Sequence, residues 1–133
     1  MDNQNTYHKG KILIANPFLI GSIFERSVIF LADHSETGSM GFILNKPTEF
    51  NVSQVVPQLI NCDFPVYYGG PVDEMILFYV HSLGDQIENS IPIANNLSWG
   101  GEFEQVKNLL ASGLLTQKNI KFFQFILRCK LFK

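Results

Sequence analysis

Ser27-Val28-Ile29-Phe30-Leu31-Ala32-Asp33-His34, then Ser35-Glu36-Thr37-Gly38-Ser39, then Gly41-Phe42-Ile43-Leu44: the reading of this stretch decides the fold class. The first run is apolar and rich in β-branched and aromatic residues, which suit a pleated, half-buried surface. Turn residues follow and a second β-favouring run returns, the pattern of a hairpin. On this reading Pro47 closes the returning strand. Upstream, Lys11-Ile12-Leu13-Ile14-Ala15 reads as a buried strand ended by Asn16-Pro17.

Working downstream, Asn51 is placed to cap a short helix over Val52 to Ile60, with Pro57 limiting or kinking it. Val66-Tyr67-Tyr68 and Met75 to His81 read as two more strands, joined by a Gly69-Gly70-Pro71 turn. Ile91-Pro92-Ile93 suits an edge strand, where proline is tolerated. A helix is expected from about Glu102 to Ser112, with Phe103, Val106, Leu109 and Leu110 on one face and Gly113 at its stop. A last strand begins near Ile120. Short turns between most neighbouring strands predict an α+β, antiparallel-rich sheet rather than a doubly wound parallel one.

The bulk numbers agree with one domain over residues 1–133. The chain has 133 residues, 46% of them hydrophobic, with twelve Phe, enough to build a core. Charged residues are 17%, below the roughly 25% of an average globular chain, so the surface offers limited protection against self-association. The stretch Ile12 to Phe24 is broken by Asn16, Pro17, Gly21 and Ser22 and falls short of a membrane span. The N-terminus lacks the basic and apolar pattern of a signal peptide. Cys62 and Cys129 have no metal or redox spacing, and the expectation is a cytoplasmic protein with reduced thiols, no cofactor and no metal. Net charge divides unevenly. Residues 1–117 hold twelve acids and five bases, net −7, whereas 118–133 hold five bases and no acid, net +5. An acidic body argues against direct nucleic-acid binding.

Three groups of residues invite a functional reading. Tyr68-Gly69-Gly70-Pro71-Val72 reads either as a nest of backbone N–H groups for phosphate or carboxylate, or as a tight hairpin-like turn, the preferred reading. His34 and His81 each end an apolar strand, beside Asp33 and Ser82. Hydrolase chemistry needs nucleophile, base and orienting acid together. No Gly-x-Ser-x-Gly elbow is present, since Gly38-Ser39-Met40-Gly41 has the wrong spacing, and a structural or binding role for both imidazoles is preferred. Arg26-Ser27 reads either as a guanidinium for an anion or for a carboxylate such as Glu25 or Asp33, or equally as a surface arginine with no special role. Asn45-Lys46-Pro47 and Trp99-Gly100-Gly101 read as a loop and a core or rim anchor.

In order along the chain, Gly10 to Pro17, Phe24-Glu25-Arg26-Ser27-Val28, His34, Gly38 to Pro47, Val66 to Val72, His81-Ser82 and the Gly-Gly-Glu-Phe-Glu helix entry resemble the YqgE/AlgH family of bacterial proteins. The resemblance covers roughly residues 10–123. It implies a bifurcated sheet curling into a partial barrel with two or more helices packed on it. It also implies a cytoplasmic protein with no established reaction, tied to transcriptional regulation because one member is linked to alginate production. The family's shared polar positions match Arg26, Ser27, His34, Asn45, Pro47, Gly69, Gly70, Pro71 and His81, which the resemblance makes the candidate surface site. Arg26 would be its anion contact and the glycines its backbone donors.

Two departures stand out. Gly21 sits where the family usually places an Asp. After Phe122-Phe123 the family continues with a Gly-Tyr-Ala-Gly-Trp-like stretch and more chain, whereas here residues 124–133 read Gln-Phe-Ile-Leu-Arg-Cys-Lys-Leu-Phe-Lys. The expectation is a frameshift or truncation near residue 123 with an aberrant tail over 124–133, a fold incomplete at its C-terminus, and self-association through the truncated edge. The functional expectation is a non-catalytic regulatory protein that binds a protein partner or a small anionic ligand. The alternative is a hydrolase or phosphoryl-handling enzyme using the strand-end histidines.

Overall fold

Backbone polar groups that leave water must be paired, and nine strands arranged around one central strand do most of that pairing here. The computed structural model describes residues 9–14, 26–59 and 62–129. The strands are β1 (Ile12–Ile14), β2 (Val28–Ser35), β3 (Gly38–Ile43), β4 (Pro47–Asn51), β5 (Pro65–Tyr68), β6 (Val72–His81), β7 (Ile91–Ala94), β8 (Leu97–Trp99) and β9 (Ile120–Cys129). Two α-helices, α1 (Val52–Val55) and α2 (Phe103–Ala111), and a 3-10 turn at Gly84–Gln86 complete the described elements. The main path runs β1-β2-β3-β9-β6-β8-β7, with β4 and β5 branching from β9. The expected mixed α+β class, rich in antiparallel pairs, is what the molecule adopts.

β9 is where the sheet forks. One edge holds β6, antiparallel, from Ile120 opposite His81 to Ile126 opposite Val72. The other edge serves two partners in succession. β5 pairs parallel with Phe122, Phe123 and Gln124, and β3 pairs antiparallel with Leu127, Arg128 and Cys129. Between them Phe125 has φ +70°, a left-handed conformation that a bulky side chain rarely takes. Gly69 bridges the fork: its N–H donates to Gln124 O at 2.9 Å, and its carbonyl accepts from Ile43 N at 2.9 Å.

Alternation along β9 builds two cores. Phe122 faces Val52, Val66, Ile87, Val106 and Leu115 on the helix side. Phe123 faces Phe30, Phe42, Phe78 and Ile93 inside the curl of the sheet, stacked on Phe42 at 4.6 Å between centroids. Both phenylalanines and Phe42 are fully buried, each contributing roughly 1.5–3 kcal/mol by transfer from water. The sheet curls far enough for Lys9 Nζ to reach Pro92 O at 3.1 Å and for Gly10 to pack on Ala94, yet the described strands do not close into a barrel.

Several sequence expectations are corrected. Gly69-Gly70-Pro71 is not a hairpin turn, because β5 and β6 lie on opposite edges of β9 and the segment carries the chain across that strand. Pro47 opens β4 instead of closing β3; among the described strands β4 pairs with β5 alone, so proline sits on an edge, where its missing N–H is tolerated. The first helix ends at Val55, with Val56 extended ahead of Pro57, as steric conflict with proline dictates. Its cap is as expected, with Asn51 Oδ1 accepting from Gln54 N and Gln54 Oε1 from Asn51 N. β1 is not buried: Ile12 and Ile14 are 47% and 79% exposed. β8 was unforeseen and follows an Asn95-Asn96 turn with Asn96 at φ +62°. The strand expected to begin near Ile120 runs on through residues 124–129, which form the second half of the central strand. Expectations at Ala15 to Glu25, Ile60 and residues 130–133 lie outside the described residues.

A methyl group at position 69 would stand 2.4 Å from Phe125 O and 3.2 Å from Phe123 Cβ. Gly69→Ala should therefore cost about 1–3 kcal/mol, read as a lower urea midpoint at unchanged slope. An unchanged midpoint would show that the fork tolerates separation.

Candidate functional site

The candidate residues fall into three places. At the fork, Asn45 joins the loop after β3 to the start of β2: its Nδ2 donates to Arg26 O at 2.8 Å and its Oδ1 accepts from Val28 N at 2.9 Å. Arg26, exposed, is held at φ +56°, and Ser27 beside it is fully buried. Tyr68 N donates to Lys46 O at 2.7 Å, and Pro47 lies opposite Tyr67. The fork thus gathers Arg26, Ser27, Asn45, Pro47 and Gly69, with Gly70 and Pro71 following. The carboxamide of Asn45 and the N–H of Gly69 both bond to the protein's own backbone. A nest at these glycines would have Gly69's donor already engaged, and Pro71 has none to give.

His34 lies at the far end of the β2–β3 hairpin, opposite Ser39, and its Nδ1 bonds to Ser39 Oγ. Beside it Asp33, Ser35, Thr37, Ser39 and Arg128 line a polar cleft of about 330 Å³. His81 ends β6 and is 1% exposed. Its Nδ1 accepts from Leu83 N at 3.2 Å, so the proton sits on Nε2, which donates to Gly100 O at 3.1 Å. That pairing fixes the neutral tautomer, and burial pushes the imidazole below its ordinary value against a smaller opposing effect of the Gly100 bond. Tyr79 Oη similarly donates to Gly101 O at 2.7 Å, and burial raises its pKa.

The two histidines are not neighbours. Ser39, opposite His34, pairs with Cys129, whereas His81 pairs with Ile120, nine residues away along β9 and roughly 25–30 Å at about 3.3 Å per residue. Asp33, His34 and His81 therefore do not form one catalytic constellation. Among the described residues, no group of three His, Cys, Asp or Glu is arranged to hold a metal.

Sequence reasoning missed a third place. At the β9 start, the inner face of the curl opens in a cleft of about 330 Å³. Phe30, Leu44, Val80, Leu97 and Phe123 are among its apolar lining, and Lys118 and Lys121 line it together with His81 and the uncharged polar side chains of Ser82, Gln117 and Asn119. Lys121 lies opposite Val80 and two residues before Phe123, so strand alternation turns it inward. Its Nζ rests 3.9 Å from the centroid of the Tyr67 ring, and burial lowers its pKa. The signal was present in the basic run that begins at Lys118, but its meaning depends on which face Lys121 takes.

Comparison with known proteins agrees with the architecture. Residues 12–127 match the family model described as AlgH-like, DUF179. A UPF0301 protein of Chlorobium limicola is 39% identical over 114 residues, covering 86% of this chain and 61% of the relative. One from Cytophaga hutchinsonii is 40% identical over 116 residues, covering 86% and 64%. The chain thus spans about three-fifths of the length of these relatives. The solution structure of the AlgH protein from Pseudomonas aeruginosa superposes with a TM-score of 0.73 at 24% identity, covering 98% of this chain and 71% of that one. Protein DIP2367 from Corynebacterium diphtheriae gives 0.73 at 23%, covering 97% and 70%.

The state of His81 predicts a pH dependence. Its folded pKa lies below the unfolded value of about 6.5, so between the two the unfolded chain binds more protons and stability rises with pH. Acidification from about pH 7.5 through about 6.5 toward that lowered value should reduce the urea midpoint, because protonation removes the Leu83 N–H bond and charges a buried ring. His81→Gln should be less stable at neutral pH but show a shallower loss on acidification. An equally steep loss in the variant would assign the dependence to other groups.

Proposed function

The chain belongs to the AlgH-like family, and from that premise we propose that it is a non-catalytic binding protein, engaging a protein partner or a small anionic ligand and influencing gene expression indirectly. One observation carries this reading: Asn45, Gly69 and His81 use their polar atoms to tie the protein's own strands together, while the inner face of the curl offers an open apolar cleft bordered by lysines. Clefts of a few hundred Å³ with apolar walls and few polar groups are the usual form of small-ligand sites. The net −7 of residues 1–117 opposes direct nucleic-acid binding, so an effect on expression would pass through a partner. Among the described residues no helix is long and apolar enough to cross a membrane.

The separation of His34 from His81 weighs against a hydrolase that uses them together. The test combines two assays on the whole chain. Thermal shift against a panel of carboxylates and phosphates, with pull-down from lysate, should give a ligand that raises Tm or a reproducible partner. Stabilisation at 100-fold excess over Kd would be about 2.7 kcal/mol. Turnover of p-nitrophenyl acetate or p-nitrophenyl phosphate should stay at background. Turnover that His34→Ala or His81→Ala reduces by roughly 100-fold or more would overturn the proposal, since that is the scale of general acid–base catalysis.

A further inference from the structure

Lys121 occupies a position that an apolar side chain would fill more cheaply. It shares the inner face of β9 with Phe123 and stands opposite Val80, and its ammonium lies over Tyr67. Among the described residues no carboxylate pairs with it, and none of the described residues lining the cleft is an Asp or Glu. A half-buried ammonium loses hydration, and a ring face returns only about 0.5–2 kcal/mol. Lys118 adds a second positive charge at the rim. Among the described residues the mouth therefore combines apolar side chains, two lysines and no acidic side chain.

We infer that this mouth binds a small amphipathic anion, with its apolar body against Phe30, Leu44, Val80, Leu97 and Phe123 and its anionic head at Lys121. This rests on the reading of the chain as a binding protein and names the chemistry of its ligand. A lysine is a compact point charge and does not select a planar head group, so carboxylate and phosphate heads share the required chemistry. Lys121 lines both this cleft and an adjoining one of about 80 Å³ that includes Tyr67, so its ammonium, over the Tyr67 ring, borders the two.

The test is calorimetric titration of the whole chain with octanoate, octyl phosphate, octanol and octylammonium, all below micelle formation. Saturable one-to-one binding of at least one anion is expected, with octanol weaker by roughly tenfold or more, the scale of one charge-assisted contact, and octylammonium weaker still. The stronger anion identifies the head group. Lys121→Met should reduce anion affinity by roughly tenfold while leaving octanol unchanged, and Lys121→Arg should retain most of it. Octanol binding as tightly as both anions, or an unchanged Lys121→Met, would overturn the anionic ligand and leave the broader binding reading standing. Absence of binding by all four would overturn the mouth as a site, with partner capture then deciding the broader reading. The head-group comparison needs no variant and remains decisive should Lys121→Met fold poorly.

Discussion

One strand edge cannot pair with two neighbours at the same residues, and the architecture follows from how β9 meets that constraint. Its edge holds β5 over Phe122–Gln124 and β3 over Leu127–Cys129, so the backbone must turn away from one partner before it meets the next. Phe125, in the left-handed region, makes that turn. A strained non-glycine residue costs on the order of 1–3 kcal/mol and persists only where its surroundings over-determine it. Here the surroundings are Gly69, bonded to β9 on one side and β3 on the other, and Tyr68, whose ring meets that of Phe125 edge-on at 5.9 Å. The segment that looked most like an anion loop is the wedge of the fork.

The division of the core follows from the same strand. Successive residues of β9 face opposite sides, so Phe122 closes the layer beneath α2 and Phe123 fills the curl. Neither core has a second element that could replace β9. The described strands leave the curl open, and the cleft at Lys121 lies at the start of β9, ahead of the residues that pair with β5 and away from the fork at Phe125.

Local patterns in the sequence carried much of this. The 27–44 hairpin, the Asn51 cap, the helix near 103–111 and the strand from Ile120 all follow from period, capping and turn chemistry, which act within a few residues. What failed was long-range pairing. A Gly-Gly-Pro segment between two β-rich runs reads as a hairpin, and only the insertion of β9 between β5 and β6 makes it a crossover; no local rule reports that insertion. The burial of β1 failed for a related reason: it ends the path of strands, and among the described residues no layer covers Ile12 and Ile14. At the candidate site, residue types were legible but their geometry was not. His34 and His81 both end strands, yet antiparallel order puts those ends at opposite poles of β9. Resemblance to a family grouped Arg26, Ser27, Asn45, Pro47 and Gly69, and the fork brings them together for a reason of strand geometry.

Shared polar residues need not be a ligand site. Asn45 and Gly69 sit where strands from distant parts of the sequence must be held in register, and replacing either would disturb pairing before it disturbed binding. His81 belongs to the same class, since both ring nitrogens bond to backbone and its burial favours the neutral form. Lys121 differs in kind. Among the described hydrogen bonds its side chain gives none to backbone, and it places a cation against the Tyr67 ring and beside apolar residues where Leu or Met would bury more favourably. A charge retained where packing does not require it directs the search for function to the mouth of the curl, not to the glycines of the fork.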